Sequence, residues 1–427
     1  MAKITKEYVL KTVTAFYRES HDFNGISTWT LSEKFKQDWA LLKMVVRELI
    51  EDEMVGLIDT NTDVNPHIIR RGFEPMDIQI SKLDSESPPY GCIYPTQKHL
   101  NSVVNPQDYE GQPYKLCLAL GEAQLAYLSF DLSVLEFYRN DPRYRYENDD
   151  IRGHIYYDAE EMKDSDKALL ETYGFSYDDD YNRAVAVFLC YLTDLTPEHQ
   201  QIWKAKELPG NYKLHPDYYR NTIIDDWGEK VPICSALLKE LYIINQMAKA
   251  MGRPPLFKDD YGEYGEYGEN LPKRFGFLIR PTLEEFNNFI LLFDKMLSDN
   301  INQDFFQKEV SYEIEIERKD GKIQVQQKGR LQILDYWIRR FFRTHDWQPW
   351  EESIATLRKI RKMRQKPAHL VNEDQFDQKY FKEQREIIID AYSAVRTLRL
   401  MFANHPRVKS AEIEIPDWLQ ESKIWTM

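Results

Sequence analysis

The feature that most constrains the fold is a long helical pattern near the carboxyl end of the sequence. Within residues 374–404, side chains that can share one face recur every three or four positions: Tyr380, Gln384, Ile388, Ala391, Val395, Leu398 and Phe402. This spacing is typical of one face of an α-helix. A helix over this range would be roughly 45 Å long, so its buried stripe needs other helices along its whole length. The pattern therefore predicts a helical bundle.

Two shorter amphipathic helices are predicted before the long one, over residues 330–343 and 350–366. The side chains expected on their buried faces are Leu331, Leu334, Trp337, Ile338, Phe341, Ile354, Leu357 and Ile360. Apolar residues at this spacing form the stripe that a bundle buries. An up-and-down arrangement of three helices is the simplest architecture for this part of the chain.

A β-hairpin is predicted just before these helices. The segments Tyr312–Ile316 and Ile323–Val325 alternate apolar and polar residues, and Asp320-Gly321 lies between them. An Asp-Gly pair between alternating segments favours a tight hairpin turn. Residues 306–427 are therefore predicted to form one domain, a hairpin followed by a helical bundle.

Length and composition predict a mainly α, multidomain protein. The chain has 427 residues, more than one domain usually holds, and 42% of them are hydrophobic. The longest apolar segment, residues 184–192, is about half the length of a membrane span. The four cysteines lie far apart, which favours reduced thiols over a zinc site. We therefore expect a cytoplasmic protein with no membrane span, metal or cofactor.

Residues 1–72 contain three amphipathic segments and two candidate strands. Apolar side chains at helical spacing predict the helices: Val9, Val13, Phe16, Leu31, Phe35, Leu42, Val46 and Leu49. The strands are predicted at Gly56–Asp59 and His67–Arg70, with a polar turn between them. Three helices followed by a β-ribbon resemble the winged helix-turn-helix fold. The resemblance is one of topology and covers about 70 residues.

The winged-helix resemblance raises DNA binding as a function. The candidate contacts are Lys43 and Arg47 on the third helix and Arg70 and Arg71 on the wing. Acidic residues follow the two cations on the third helix, so this region is near neutral. Duplex binding depends on neutralising phosphates, so the charge pattern favours a protein partner over DNA.

Residues 73–305 are predicted to be a mostly helical middle region of unknown role. This region is another candidate for contacting a protein partner. Tyr261–Glu269 repeats the triplet Tyr-Gly-Glu three times and is predicted to be a surface loop.

The strongest functional signal is the cationic segment Arg358–His369. Six of its twelve residues are Lys or Arg, in a chain whose formal net charge is −14. Residues 329–370 contain ten Lys or Arg and four Asp or Glu, so the basic surface is local. A basic helix that ends in Arg364-x4-His369, followed by a long helix, resembles the HEPN superfamily. Active members of that superfamily are metal-independent endoribonucleases.

The chemistry of RNA cleavage agrees with this pair of residue types. Without a metal, a base must take the proton of the ribose 2′-OH, and a cation must stabilise the charged phosphorane. An imidazole suits the first task and a guanidinium the second. Residues five apart on a helix point about 140° away from each other. However, Pro367 disfavours helical geometry at Lys366, so we expect the helix to end or kink there, which would let His369 turn back toward Arg364.

The HEPN resemblance implies roles for individual residues. Arg364 would stabilise the scissile phosphate, and His369 would be the acid–base or positioning residue. RNA-backbone contacts would come from Arg358, Arg361, Lys362 and Lys366. In support, Gln365 takes the polar position after the arginine, and Glu352 could orient the arginine or the histidine. The resemblance also implies a homodimer through the C-terminal domain, because the motifs of two protomers share one cleft in that family. Family members controlled by tyrosine modification have a tyrosine where this chain has Val371, so that control is not expected.

Two functions follow as expectations. The first is a metal-independent endoribonuclease effector of the defence or toxin class, acting as a homodimer on single-stranded RNA. The second is a non-catalytic scaffold or regulatory protein that uses the winged helix and the bundle to bind partners or nucleic acid. Loss of RNA cleavage on changing His369 would separate the two.

Overall fold

The structure is a computed structural model of the chain. It describes residues 4–36, 39–63, 65–85, 90–158, 162–226, 228, 230–261, 275–317, 323–365 and 373–427. The chain divides into two compact units, Met1–Asp179 with Ala184–Tyr218, and Asp180–Arg183 with Tyr219–Met427. About 51% of the chain is helical, which agrees with the mainly α class. Both predicted domain boundaries, after residues 72 and 305, fall inside a unit, and the three-domain division stays a prediction.

The first unit contains small helices and two sheets. Its elements are α1 (Lys6–Glu19), β1 (Ile26–Ser27), α2 (Thr28–Phe35), α3 (Trp39–Glu51), β2 (Val55–Asp59), α4 (Met76–Ser85), β3 (Gly91–Pro95), α5 (Gln97–Val103), α6 (Pro113–Ala119), β4 (Tyr127–Phe130), α7 (Val134–Arg139), β5 (Tyr144–Asn148), β6 (Arg152–Tyr157), β7 (Leu169–Tyr177), β8 (Arg183–Phe188), α8 (Leu189–Thr193), α9 (Pro197–Lys204), β9 (Lys213–Leu214) and α10 (Pro216–Tyr219).

The amino-terminal elements form three helices on a three-stranded antiparallel sheet of order β1-β3-β2. Ile93 of β3 lies opposite both Ile26 of β1 and Leu57 of β2. The prediction of a strand at His67–Arg70 is wrong, because β3 at Gly91–Pro95 takes the place beside β2. The helix α4 lies between the two strands in the chain, and its Gln79 side chain accepts a hydrogen bond from the Leu57 backbone N–H.

One apolar core holds these helices on the sheet. Its fully buried members include Val9 and Val13 of α1, Leu42 and Val46 of α3, and Ile93 of β3. Helical spacing in the sequence predicted the α1 and α3 members. Ser27 and Thr5 accept hydrogen bonds from backbone N–H groups in the first turns of α2 and α1, which caps both helices.

A six-stranded sheet of order β4-β8-β7-β6-β5, with β9 paired to β7, follows in the first unit. This sheet was not predicted, since residues 73–305 were expected to be mostly helical. The strand β8 is buried at every position, so it has no alternation to mark it as a strand. Gly174 in β7 lies under the Tyr218 ring, and a Cβ there would lie 2.3 Å from a ring carbon.

A buried histidine joins α7, α9 and the sheet. Trp203 Nε1 donates to the Tyr138 hydroxyl at 2.8 Å, and that hydroxyl lies 2.9 Å from His199 Nδ1. His199 Nε2 lies 3.3 Å from the Asp166 carbonyl oxygen. Since Tyr138 accepts from Trp203, its own proton is directed at Nδ1, and Nε2 carries the imidazole proton. Burial lowers the pKa of His199, although the Asp166 carbonyl acts to raise it.

We expect His199 to make the first unit less stable in mild acid. Its pKa is lower in the folded chain than the unfolded value of about 6.5, so the unfolded state binds the proton more readily. Its contribution is therefore fully present above that value and is lost as the pH falls toward the folded pKa. Urea unfolding between mildly alkaline and mildly acidic pH should show this loss, and His199→Gln should show a smaller one. If His199→Gln lost as much stability in acid as the unmodified chain does, the prediction would be contradicted.

The second unit is built mainly from five helices. Its elements are β10 (Val231–Pro232), α11 (Ile233–Ala250), α12 (Leu283–Leu297), β11 (Glu313–Glu317), β12 (Ile323–Gln327), α13 (Arg330–Phe341), α14 (Gln348–Gln365), α15 (Lys379–Ala403), α16 (Pro406–Lys409), α17 (Asp417–Gln420) and β13 (Ile424–Trp425). Within the residues that the structure describes, no helix is both long enough and apolar enough to cross a bilayer.

The three predicted C-terminal helices are confirmed as α13, α14 and α15, with their ends moved by a few residues. All seven positions predicted on the inner face of the long helix are buried. Phe341 is an exception on α13, since its side chain is 44% exposed. The bundle is larger than predicted, because α15 also packs on α11 and α14 also packs on α12.

The predicted hairpin is confirmed as β11 and β12, which pair antiparallel with Glu315 opposite Val325. The predicted turn Asp320-Gly321 and the loop at 262–269 lie outside the described residues.

An ion pair inside the second unit links the helices α11 and α15. Glu240 of α11 is fully buried, and Arg399 of α15 is 4% exposed. Arg399 Nε donates to one carboxylate oxygen of Glu240. The other oxygen of Glu240 has no hydrogen-bond partner among the described residues. Burial raises the pKa of Glu240, and the Arg399 guanidinium opposes that rise.

Candidate functional site

The predicted catalytic arginine lies at the carboxyl end of α14. The described part of α14 runs to Gln365, and the end or kink expected at Lys366 and Pro367 lies outside the described residues. Arg364 is therefore in the last described turn, with 32% of its side chain exposed. Lys366, His369 and Val371 lie outside the described residues, so their predicted roles stay predictions.

Two aspartates at the end of α12 hold Arg364. Its Nη1 donates to Asp294 Oδ2 at 2.8 Å and also to Asp299 Oδ2. The Asp294 side chain is fully buried, whereas the side chain of Asp299 is 31% exposed. Both bonds use one nitrogen, and Nε and Nη2 of Arg364 have no hydrogen-bond partner among the described residues. The aspartates thus orient the guanidinium and leave two of its donor nitrogens unused.

This arrangement favours the charged form of both partners. The hydrogen bond to Asp294 and then that to Asp299 raise the pKa of Arg364. Burial acts to raise the pKa of Asp299, but hydrogen bonds from Arg364 and Arg361 outweigh it, so the pKa is lowered. Asp299 therefore stays ionised well into the acid range and continues to hold the arginine.

Sequence reasoning missed Asp294 and Asp299, although one signal was present. The apolar face of α12 contains Phe286, Ile290 and Phe293, and Asp294 stands four residues after Ile290. A carboxylate on a buried face needs a charged partner, so its presence indicates an arginine or lysine on a neighbouring helix. The identity of that partner required the packing of α12 on α14.

Two further arginines converge on Asp299. Arg361 Nη1 donates to Asp299 Oδ1 at 3.0 Å. Arg330, at the start of α13, donates to the backbone carbonyl of Asp299 and has Nη1 3.9 Å from its carboxylate. The start of α13, the end of α14 and the residues after α12 therefore meet at this one carboxylate.

Arg358 is paired one turn earlier on α14. Its Nη2 donates to Asp335 Oδ2 at 2.9 Å, and Asp335 also accepts from Arg339 and from Trp350 Nε1. Glu352 accepts from Gln348 within the same helix. It lies twelve residues before Arg364, about 18 Å along the helix axis, too far to orient that arginine. Glu352 is therefore not placed to orient Arg364, and its predicted support of His369, which lies outside the described residues, stays a prediction.

Lys362 differs from its neighbours on α14. It is exposed and makes no ion pair with the part of the chain that the structure describes. Lys362 and Gln365, one turn apart, line a surface cavity of about 240 Å³ together with Arg358 and Arg361. Four of the residues predicted around the RNA are thus brought together, and Arg330 of α13 joins them.

The cations predicted for DNA contact in the first unit are placed differently. Lys43 Nζ and Arg47 Nη1 lie 3.3 and 3.0 Å from the two carboxylate oxygens of Asp84. Arg70 Nε lies 2.7 Å from Asp63, whose side chain is buried. Arg71 is the most exposed of the four, with Nη2 3.9 Å from Glu74. Each of these cations already has a carboxylate partner.

We expect residues 1–72 to contribute no duplex affinity at physiological salt. A phosphate would have to displace Asp84 from Lys43 and Arg47, and the local surplus of positive charge is small. Fluorescence anisotropy with a labelled duplex should give the same weak titration for the full chain, Arg47→Ala and the exposed-lysine control Lys11→Ala. Salt-dependent binding that Arg47→Ala abolishes and Lys11→Ala preserves would contradict this.

One group of side chains in the first unit has the composition of a metal site. His21, Asp22 and Asp194 bring their ligand atoms within 4.8 Å of one another. All three are exposed, and His21 Nδ1 lies 2.7 Å from Asp22 Oδ1. An ion there would have to break this hydrogen bond in open solvent, so we assign no ion to the group.

The candidate site is therefore the cationic surface of α14 with the start of α13, held by Asp294, Asp299 and Asp335. Comparison of the chain with protein-family models, with curated proteins and with solved structures found no match.

Proposed function

We propose that the protein is a metal-independent endoribonuclease effector of the HEPN type, which acts as a homodimer on single-stranded RNA. In this proposal the cationic surface of α14 binds the RNA backbone. Arg364 stabilises the phosphorane that forms during cleavage. His369 either takes the proton of the attacking 2′-OH or gives a proton to the leaving 5′-oxygen.

The observation that carries the proposal is the way Arg364 is held. A guanidinium that stabilises a transition state must be oriented before the reaction, so that no energy is spent on turning it. Asp294 and Asp299 fix Arg364 through Nη1 at the end of α14, five residues before His369 in the chain. The unused Nε and Nη2 are a pair of parallel donors, which suits two oxygens of one phosphate.

The charge around Arg364 supports binding of RNA backbone. Arg361 and Lys362 occupy the preceding turn of α14, and Arg358 the turn before that. A row of cations along one helix can follow successive phosphates of a single strand. The rest of the chain is acidic and would repel RNA, which would restrict the strand to this surface.

The test is cleavage of single-stranded RNA by the full chain in the presence of EDTA, with a 2′-O-methyl RNA of the same sequence as substrate control. The natural RNA should be cut and the methylated one should not, because the attacking hydroxyl is blocked. Light scattering on the same sample should give the mass of a dimer. Cleavage that EDTA abolishes would overturn the metal-independent mechanism.

A second function, non-catalytic partner binding, is favoured by different residues. Leu41 and Met44 on α3 and Trp29 on α2 are 48%, 62% and 62% exposed. Large apolar side chains on the helix that would enter DNA are more typical of protein interfaces. Under this alternative the full chain would form a stable complex with a protein partner, and RNA would not be turned over.

A further inference from the structure

The cavity at the start of α13 has the dimensions of a site for a small anion. Its volume is about 240 Å³, below the roughly 300 Å³ at which pockets for whole organic ligands begin. Four cations line it: Arg330, Arg358, Arg361 and Lys362. Gln332 and Gln365 add amide donors on the two sides. A phosphate group fits this space and this set of donors, whereas a complete nucleotide would extend beyond it.

The charge of the cavity selects among phosphates. The four lining cations face two carboxylates, Asp299 and Asp335, so two positive charges are in surplus. Two adjacent pairs, Arg364 with Asp294 and Arg339 with Glu351, each add one charge of each sign and leave the surplus unchanged. A phosphodiester carries one negative charge, whereas a phosphomonoester carries about 1.5 to 2 at pH 7. The surplus therefore matches a terminal phosphate better than a backbone phosphate.

The backbone at this point also suits an anion. The helix α13 runs over twelve residues from Arg330, and its N-cap is Gly329, which has no side chain to accept from the first-turn N–H groups. Those N–H groups carry partial positive charge and lie beside the cavity. The helix terminus adds positive potential to the cavity. The choice of ligand depends on the side-chain cations alone.

We propose that this cavity binds a terminal phosphomonoester and thereby makes RNA recognition dependent on the strand end. That the ligand is an RNA end rests on the proposed function, while binding of a phosphomonoester does not. Lys362 is the residue best suited to meet the ligand, since it is exposed and, among the described residues, has no carboxylate to release first. Arg358 and Arg361 would share their hydrogen bonds between Asp335 or Asp299 and the phosphate.

The test compares short 2′-O-methyl RNAs that carry a 5′-phosphate, a 3′-phosphate or no terminal phosphate. Their affinities for the full chain are measured by fluorescence anisotropy at one fixed salt concentration. One or two hydrogen bonds to a charged group correspond to about tenfold to a hundredfold in affinity. We expect one of the phosphorylated oligonucleotides to bind at least about tenfold more tightly than the unphosphorylated one, and the arm that gains identifies the end.

The matched variants are Lys362→Ala and Lys359→Ala. Both remove one positive charge from exposed positions of α14, but Lys359 is outside the cavity and lies 3.9 Å from Asp390. Lys362→Ala should reduce the preference for the phosphorylated end severalfold, and Lys359→Ala should leave it unchanged. Equal effects of the two variants, or no preference in the unmodified chain, would overturn the proposal. The proposed function fails separately, when natural RNA is not cut although the end preference is present.

Discussion

Metal-free RNA cleavage is expected to fall by about 10²- to 10⁴-fold when His369 is replaced by alanine, because the reaction loses its general acid–base group. Arg364→Ala should lose about 10²- to 10³-fold, as expected for removal of one donor to a developing charge. Arg364→Lys should recover only part of the rate, because an ammonium cannot reproduce the paired donors of the guanidinium. Initial rates on labelled single-stranded RNA in EDTA measure all three effects.

The control for the histidine variant is His345→Ala. His345 is exposed in the same unit and lies between α13 and α14, away from the cationic cavity. His345→Ala should cleave RNA at the rate of the unmodified chain. Arg364→Ala needs a separate check by circular dichroism, since among the described residues it leaves the buried Asp294 with Arg361 alone, at 3.8 Å. The nuclease proposal would be removed if His369→Ala cleaved RNA at the unmodified rate while His345→Ala and Arg364→Ala were folded.

Arg399→Ala is expected to destabilise the second unit by about 3–5 kcal/mol, the usual cost of leaving a buried charge without its partner. Glu240 would be left in the interface of α11 and α15 without the guanidinium that donates a hydrogen bond to it. Urea unfolding, with hydrogen exchange of the α11 and α15 amides, would locate the loss. The exposed control Glu386→Ala on the same helix should stay within about 0.5 kcal/mol of the unmodified chain.

Two further measurements distinguish the ion pair from simple loss of packing. The double variant Glu240→Leu/Arg399→Met should recover most of the stability, because it replaces the pair by apolar groups. In Arg399→Ala alone, Glu240 should have a raised pKa in the folded state. The contribution of Glu240 to the free energy of unfolding would then be fully present below its unfolded pKa and lost as the pH rises. The stability deficit of Arg399→Ala should therefore be smaller in acid than at neutral pH. A deficit that does not change with pH would favour packing.

The helices were predictable from sequence where one face alone is buried. The seven inner positions of α15 follow a regular spacing, and the structure buries all of them. The strand β8 was missed because every one of its positions is buried, which leaves no period to detect. The prediction of a strand at His67–Arg70 was wrong for a different reason. Pairing with β2 is decided by contacts made over a long distance in the chain, and Gly91–Pro95 makes them.

The site was predictable in its composition but not in its connections. The sequence located the cations of α14, since their density stands out in an acidic chain. It could not identify Asp294, Asp299 and Asp335 as their partners, because these lie on other helices or just after one. Nor could it show that Arg330 joins Arg361 at one carboxylate. Such contacts depend on how α12, α13 and α14 pack, and no local pattern encodes that packing.

The carboxylates among the arginines of α14 have a consequence for selectivity in the cell. Any polyanion that approaches this surface competes with Asp299 and Asp335, which are tethered beside the cations and never diffuse away. Few counterions are condensed on cations that are already paired, so their release offers little driving force to nonspecific polymers. The protein can therefore keep many arginines in one place without binding every polyanion. The charge density of a ligand then decides whether it binds at this surface.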